Sequence, residues 1–246
     1  MGEALTQSSV AARRDDGPRH PAEHRAGWLN GVTVWVFRTF AWLVVRVCFG
    51  LRVVNPPRID GPFVLVANHA SFLDPILLGV AAGQRVYFMM TTLHFRSPML
   101  GWFYRWVRCI PIALRGSNRE PLRIARRVLE RGDVLAVFPE GGISRDGAML
   151  CGSPGAVSLV LDDDVPIIAA HIEGAAAAMP PGRLPRPARV TVRFADPIRI
   201  DELLAQQGPI DRRQRLRAAT RAIMDRIAAT GGVQSREGWL EKRASA

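Results

Sequence analysis

The sequence predicts an α/β fold in which a central, mostly buried mixed sheet is flanked by helices. Short apolar runs typical of strands alternate along the chain with segments whose apolar residues recur at helical spacing. Several strand-like runs are apolar at every position, as expected for strands that are covered on both faces. Hydrophobic residues make up 48% of the 246 residues, which is enough for a full core and excludes a largely disordered chain.

Seven segments have the composition of strands, and turn-forming residues separate several of them. They are residues 51–54, 63–67, 85–90, 110–113, 134–138, 165–172 and 189–194. Four further segments have the pattern of helices, and they are residues 75–82, 98–107, 118–131 and 211–229. In the third of these helices, Leu122, Ala125 and Val128 form an apolar stripe that predicts one buried face.

Composition divides the chain into four parts. They are a polar tail at residues 1–27, an apolar segment at 28–50, the α/β domain at 51–230 and a second polar tail at 231–246. The apolar segment is about as long as a membrane span, but Arg38 lies near its middle and Arg46 follows. A charge at the centre of a bilayer costs about 2.5–3.5 kcal/mol on insertion scales, which disfavours a simple span.

An amphipathic helix that lies in the membrane interface fits this apolar segment best, because arginine side chains there can reach the headgroups. A single membrane span and a helix buried against its own domain are the alternatives. The first 25 residues contain no apolar stretch of the signal-peptide type. We therefore expect a peripheral or monotopic protein at the cytoplasmic face of the cell membrane.

The charge of the chain favours an anionic partner, and a GC-rich genome that encodes Arg in place of Lys is the alternative explanation of the arginine excess. Lys and Arg number 33 against 22 Asp and Glu, which gives a net charge of +11, and Lys242 is the only lysine. Arginine binds phosphate and carboxylate well because its planar fork matches their geometry. No nucleic-acid-binding motif is present, so we expect membrane lipids rather than nucleic acid. The three cysteines are widely spaced, which predicts neither a disulfide framework nor a metal site.

The first stretch that carries chemistry is Asn68-His69-Ala70-Ser71-Phe72-Leu73-Asp74-Pro75, which directly follows a predicted buried strand. Sites in open α/β sheets favour this position. His69 and Asp74 can cooperate only if His69 precedes the next helix, since five helical residues would place them about 140° apart. An Asp that accepts from one ring nitrogen leaves the other free as a base. Asp74-Pro75 supports this order, because Asp is a favoured N-cap and Pro a favoured first helical residue. The alternative is that Asp74 only caps the helix and that His69 is an unrelated loop residue.

The second stretch is Phe138-Pro139-Glu140-Gly141-Gly142-Ile143-Ser144-Arg145, where another buried strand continues into a glycine-rich loop. Backbone N–H groups at Gly141 and Gly142, together with Arg145, can hold an anion. An ordinary turn at the end of a strand explains the same pattern, and composition alone does not separate the two.

Together the two stretches resemble the glycerolipid acyltransferases typified by lysophosphatidate acyltransferase. The resemblance rests on Asn68-His69-x-x-Phe72-x-Asp74 followed about 65 residues later by Phe138-Pro139-Glu140-Gly141. Two weaker blocks agree with it, namely Ile110-Pro111-Ile112-Ala113-Leu114-Arg115 and the Val165-Pro166-Ile167-Ile168 run. It extends over roughly residues 51–200.

This resemblance implies a fatty acyl transfer from acyl-CoA or acyl-carrier protein to a lysoglycerophospholipid, with 1-acylglycerol-3-phosphate as the expected acceptor. His69 is then the general base and Asp74 orients it. Arg115 binds the acceptor's phosphate, while Glu140 and Gly141 bind its head. Ser144 and Arg145 are the nearest counterparts of the family's further substrate contacts. The scheme needs no acyl-enzyme, no cofactor and no metal.

Two departures from the family pattern affect the expected acceptor. Gly142 and Ile143 stand where the family has Thr and Arg, so one phosphate contact is missing or is displaced to Arg145. The block before Arg115 is also one residue longer than usual. A different lysophospholipid, such as lysophosphatidylethanolamine, is therefore an alternative acceptor. A non-catalytic membrane-binding adaptor with the same fold is a second alternative.

Overall fold

A mixed sheet forms the centre of the computed structural model, which describes residues 28–113, 119–154, 165–180, 182–205 and 211–236 and a few single positions outside these ranges. Its strands in the described residues are β1 Arg52–Val54, β2 Val64–Ala67, β3 Val86–Thr91, β4 Ile110–Ile112, β5 Val134–Val137, β6 Ile167–Glu173 and β7 Thr191–Phe194. The spatial order is β1-β7-β6-β2-β5-β3-β4. Neighbouring strands are parallel except β6 and β7, which are antiparallel. The predicted mixed sheet is thus confirmed, and each strand begins and ends within two residues of its predicted bounds.

Helices cover the sheet on both faces. In the described residues they are α1 Trp28–Phe49, α2 Asp74–Ala81, α3 Thr92–Phe95, α4 Gly101–Trp106, α5 Arg119–Glu130, α6 Ala175–Ala178, α7 Ile200–Leu203 and α8 Arg212–Gly231. The sequence pattern did not predict α3, α6 and α7, because four-residue helices are too short to show a helical repeat. The structure also shortens the helix predicted at 98–107 to α4.

The alternation of side chains along β2 explains why this strand is apolar at every position. Val64 and Val66 join a core on the face covered by α5 and α8. Leu65 and Ala67 join a second core on the face covered by α1 and α2. Because successive side chains point to opposite faces of a sheet, a strand between two helical layers must be apolar throughout.

The strand order brings several loops to one edge of the sheet. β2 lies between β5 and β6 and is parallel to both, so the carboxyl ends of these three strands are neighbours. β5 lies on one side of β2, and the chain then crosses to β6 on the other side. Such a change of direction opens a crevice at the carboxyl ends, where α/β proteins bind their ligands. The stretches that begin at Asn68 and Phe138 both leave the sheet at this edge.

Helix α1 packs on the domain along one side and leaves the rest of its apolar surface uncovered. Ala41, Val45 and Phe49 are buried in the core shared with α2. The larger apolar residues on the other sides are exposed, and they are Val32, Trp35, Val36, Phe40, Trp42, Leu43 and Val47. Residues Gly31–Phe49 are long and apolar enough to cross a membrane by length and composition, which is weak evidence by itself.

Arg38 reaches the domain itself, because its Nη1 donates to the carbonyl of Gly83 at 3.0 Å. The charge near the middle of α1 therefore has a protein partner, whereas the sequence suggested that it reaches headgroups. Of the predicted N-terminal tail, the structure describes His20 and the buried Ala22. Of the predicted C-terminal tail, residues 231–236 are described, and Arg236 pairs with Asp146.

Candidate active site

The loop after β2 is fixed to the neighbouring strand by an asparagine. The Asn68 Nδ2 group donates to the Ile172 carbonyl at 3.0 Å, and its Oδ1 accepts from the Ile172 N–H at 2.7 Å. The buried side chain therefore satisfies both polar groups of a residue in β6. This pair of hydrogen bonds extends the contact between β2 and β6 beyond Ala67 and fixes the position of the next residue, His69.

His69 and Asp74 meet directly. The Nδ1 atom of His69 lies 2.9 Å from Asp74 Oδ2, and His69 precedes α2 as their cooperation requires. The same Oδ2 accepts from the N–H groups of Ala70 at 2.6 Å and Ser71 at 2.8 Å. An oxygen that accepts from two N–H groups is best matched by a third donor, so we assign the histidine proton to Nδ1. This leaves Nε2 with its lone pair.

The structure corrects the expectation that Asp74 caps α2. Leu73 occupies the N-cap position, and Asp74 is the first residue of the helix, followed by Pro75. The Asp74 carboxylate points back to the preceding loop rather than forward to the helix N–H groups. The side chain is fully buried.

The ring of His69 is held from one side by an aromatic neighbour. Phe138, directly after β5, stacks on it with ring centroids 4.1 Å apart and planes inclined by 16°. The backbone of His69 is held as well, because its N–H donates to Glu140 Oε1 and its carbonyl accepts from the Ser144 N–H, both at 2.8 Å. With 15% of its side chain exposed, His69 can reach a substrate from a fixed position.

Glu140 joins two loops through its carboxylate. One oxygen accepts from the His69 N–H at 2.8 Å and the other from the Leu150 N–H at 2.7 Å. Burial is the main reason why the pKa of Glu140 is raised to about 7, and the nearby Asp74 adds to this effect. The two N–H donors act in the opposite direction. Since both oxygens already accept from the backbone, the predicted contact with the acceptor's head stays a prediction.

The glycine pair after Glu140 offers one backbone donor to a ligand and not two. Gly141 adopts a left-handed conformation with φ +68°, and its N–H donates to the Phe138 carbonyl at 3.1 Å. Residues with a side chain avoid this conformation, which explains the glycine. A side chain at Gly142 would meet open space, and Arg145 is exposed. Gly142 and Arg145 are therefore the accessible part of the predicted anion site.

Ser144 connects the site to the end of the described chain. Its buried hydroxyl donates to Asp146 Oδ1 at 2.8 Å, and Arg236 donates to Asp146 Oδ2 at 2.6 Å. The Ser144 hydroxyl, the Ala148 N–H and Arg236 together lower the pKa of Asp146. Ser144 thus holds the loop through both its N–H and its hydroxyl, and its predicted substrate contact stays a prediction.

Other candidate groups are placed as follows. Arg115 lies outside the described residues, so its predicted phosphate contact stays a prediction. Ser71 is buried and donates to the Met179 carbonyl at 2.9 Å. Burial raises the pKa of the Cys109 thiol to about 12, which disfavours a thiolate. No group of three potential metal ligands occurs within the described part of the chain.

Sequence reasoning quoted Asn68 and Phe138 as parts of a motif but gave neither a role. Asn68 could have been recognised as a polar side chain directly after a buried strand, where an amide without a hydrogen-bond partner would destabilise the fold. The signal for Phe138 was an aromatic residue at the end of the strand that precedes the second loop. Nothing in the sequence indicated Leu150 as the partner of Glu140 or Asp146 as that of Ser144, because contacts with the backbone and within a loop leave no pattern in composition.

Comparison with known proteins identifies the domain. The acyltransferase family model matches residues 50–173, which is half of the chain and contains both loops of the site. The chain belongs to the acyltransferase family. The resemblance inferred from the two loops is thereby confirmed at the level of the family.

Individual relatives agree with this assignment. A chloroplastic 1-acyl-sn-glycerol-3-phosphate acyltransferase of Brassica napus is 32% identical over 131 residues, which cover 52% of this chain and 38% of the relative. A 1-acyl-sn-glycerol-3-phosphate acyltransferase of Limnanthes douglasii is 30% identical over 190 residues, covering 71% of this chain and 60% of the relative. The chain thus spans about two fifths to three fifths of the length of these curated relatives.

A solved structure has the same fold. The crystal structure of the 1-acyl-sn-glycerophosphate acyltransferase of Thermotoga maritima superposes with a TM-score of 0.59. The match covers 84% of this chain and 86% of that chain at 22% sequence identity. The acyltransferase-domain α/β fold, with its seven-stranded mixed sheet among the described residues, is therefore shared.

Proposed function

We propose that the protein transfers a fatty acyl group from acyl-CoA or acyl-carrier protein to the free hydroxyl of a lysoglycerophospholipid. The proposed acceptor is 1-acylglycerol-3-phosphate, and the product is phosphatidate. The observation that carries this proposal is the 2.9 Å contact between His69 and Asp74 in a domain of the acyltransferase family. The relatives named 1-acyl-sn-glycerol-3-phosphate acyltransferase support the choice of acceptor.

The proposed reaction follows from the free Nε2 atom of His69. This nitrogen takes the proton of the acceptor hydroxyl while the hydroxyl oxygen attacks the carbonyl carbon of the thioester. The C–S bond of the resulting tetrahedral intermediate then breaks. The thiolate leaves with the proton that His69 carried, so the histidine is restored and no acyl-enzyme forms. The buried Asp74 holds the ring and stabilises its charge during the transfer.

Binding of the acceptor's phosphate is assigned to Arg115, Arg145 and the Gly142 N–H. Arg145 and Gly142 follow Glu140 in the loop that is tied to the His69 backbone by two hydrogen bonds, one from the Glu140 carboxylate and one from the Ser144 N–H, so an anion held there lies close to the base. Arg115 follows β4 by three residues in the sequence. A neutral main-chain donor and two arginines suit a phosphate monoester.

Lysophosphatidylethanolamine is the second candidate acceptor. Gly142 and Ile143 remove one hydroxyl and one guanidinium from the position where the family pattern supplies them. A phosphodiester carries one charge less than a phosphate monoester and needs fewer donors. This substitution therefore favours the second candidate over other lysolipids.

The proposed place of action is the cytoplasmic face of the cell membrane, with the protein peripheral or monotopic. The exposed apolar sides of α1 support a helix that lies in the interface. The contact from Arg38 to Gly83 supports the same arrangement, because it helps to hold α1 against the domain.

The proposal is tested by thiol release from acyl-CoA and from acyl-carrier protein, using detergent-purified protein and a panel of lysophospholipids. We expect release that depends on one acceptor and falls about 10²–10⁴-fold in His69→Gln, the usual range for loss of a general base. His171→Gln is a control for the loss of another buried histidine, because the His171 ring on β6 lies beside Gly231 of α8. Equal activity of His69→Gln and wild type overturns the mechanism. No release with any acceptor and either donor supports the non-catalytic adaptor.

A further inference from the structure

Four large apolar side chains around α3 and α4 are exposed, and no element of the described residues covers them. They are Leu93 and Met99, each 77% exposed, Trp102 at 67% and Leu100 at 44%. We call these residues the 93–102 patch. Clusters of exposed apolar groups of this size are rare on soluble proteins and mark surfaces that meet a partner or a membrane.

The 93–102 patch is continuous with the uncovered side of α1. The ring of Phe37 on α1 lies 5.4 Å from that of Phe103 and 5.3 Å from that of Trp106. Trp102 in turn lies 6.0 Å from Phe103. These aromatic contacts join α4 to α1, so the exposed residues of both helices belong to one apolar surface.

The same surface reaches the candidate active site. Phe72 lies in the loop between His69 and Asp74 and is 44% exposed. Its ring lies 6.0 Å from the ring of His94, which is the neighbour of Leu93 on α3. An apolar path therefore runs from α1 through α4 and α3 to the loop that carries the proposed base.

The charged side chains that α1 and the patch segment themselves expose are arginines. Between residues 28 and 113 the acidic residues are Asp60 and the buried Asp74. Arg46, Arg96 and Arg105 are exposed on α1 and on the segment that carries the patch. An apolar surface whose own exposed charges are arginines is complementary to anionic phospholipid headgroups above acyl chains.

We propose that the 93–102 patch is a second membrane contact, which together with α1 places the mouth of the active site on an anionic phospholipid bilayer. The patch enters the headgroup region, and Arg96 and Arg105 lie against the lipid phosphates. A lipid substrate then moves from the bilayer to His69 past Phe72 without crossing water. This contact is a binding property, so it holds or fails independently of the proposed acyl transfer.

The test places a small fluorophore at the patch and measures its quenching by lipid. The full chain carries Cys48→Ser and Cys151→Ser, since both cysteines are exposed and would also be labelled. Met99→Cys provides the labelled position. Val233→Cys is the matched control, because Val233 is an exposed apolar residue that follows α8 on the opposite face of the sheet. Vesicles contain phosphatidylcholine, phosphatidylglycerol and a nitroxide-labelled lipid, whose quenching acts only at short range.

We expect the probe at position 99 to lose most of its emission on these vesicles and the probe at 233 to keep it. Vesicles without phosphatidylglycerol are expected to quench position 99 less, because the arginines then lack their anionic partner. Equal quenching at both positions, or none at 99 while the protein is bound to the vesicles, overturns the proposal. Loss of the quenching at 99 through self-association of the protein assigns the patch to a second copy instead and also overturns it.

Discussion

The loops of the candidate active site and the apolar surface of α1 and the 93–102 patch are built in opposite ways. In the loops, the polar side chains of Asn68, Asp74 and Glu140 are buried and bonded to backbone groups. On the apolar surface, large side chains such as Phe40 and Met99 are mostly exposed. Each arrangement is costly in isolation, because buried polar groups and exposed apolar groups both oppose folding in water.

The difference separates two tasks. The loops fix atoms relative to one another, so a change there alters both the folded state and the reaction. The apolar surface is exposed, so a substitution there is expected to change the fraction of the protein that binds a membrane. Substitutions in the two regions are therefore expected to differ in kind, and the following predictions test that difference.

Asp74→Ala is expected to have the largest effect. It removes the acceptor of three donors, and leaving a buried donor without its partner costs about 1–3 kcal/mol of unfolding free energy. The ring of His69 also loses its orientation, so kcat should fall by about 10²–10⁴. Asp74→Asn keeps one acceptor and should lose less stability. Denaturant unfolding and thiol release measure the two effects, and a stable, fully active Asp74→Ala protein contradicts the role given to this carboxylate.

Glu140→Gln is expected to change how stability depends on pH. The folded pKa of about 7 lies above the ordinary value of 4.5, so the folded protein binds the proton more tightly than the unfolded chain. The wild type therefore loses stability as the pH rises from about 4.5 to 7, by about 3 kcal/mol, and the variant lacks this loss. Denaturant unfolding of wild type and variant at pH 5 and pH 8 measures how the free energy of unfolding of each changes with pH. Glu173→Gln, at an exposed glutamate, is the control. If the unfolding free energies of wild type and Glu140→Gln differ by the same amount at both pH values, the prediction is wrong.

A pair of substitutions on α1 compares its two sides. Val45→Ala removes a buried contact and should lower the unfolding free energy by roughly 1–3 kcal/mol. Phe40→Ala removes an exposed group, and should leave both stability and detergent-assayed kcat nearly unchanged while reducing the vesicle-bound fraction. Vesicle flotation and denaturant unfolding of both variants give the comparison. A large loss of stability in Phe40→Ala alone shows that this side of α1 is covered by protein.

Arg236→Ala is expected to have the smallest effect. Its bond to Asp146 is made between side chains that are both more than two fifths exposed, and such exposed ion pairs contribute little to stability. Thermal unfolding at low and high salt measures this contribution, which salt should reduce further. A loss of kcat without a loss of stability points instead to a role of Arg236 in holding the Ser144 loop.

The identity of the site residues could be read from the sequence far better than their contacts. The spacing of His69 and Asp74 required only that the histidine precede the helix, and the structure has it there. The role of Asp74 toward Ala70 and Ser71 could not be predicted, since a capping aspartate and a back-turned aspartate have the same sequence signature. Gly141 was predicted as a free donor, but its left-handed turn uses the N–H within the loop.

The sequence by itself determined the elements of the sheet and the two loops that follow β2 and β5. Local periodicity, turn residues and burial on both faces decide these features, and all three act over a few neighbouring residues. Only the tertiary structure decided that β2 lies between β5 and β6, that Glu140 joins His69 to Leu150 and that Arg38 has a partner at Gly83. These contacts join residues far apart in the chain, and they depend on how the layers pack rather than on any local pattern.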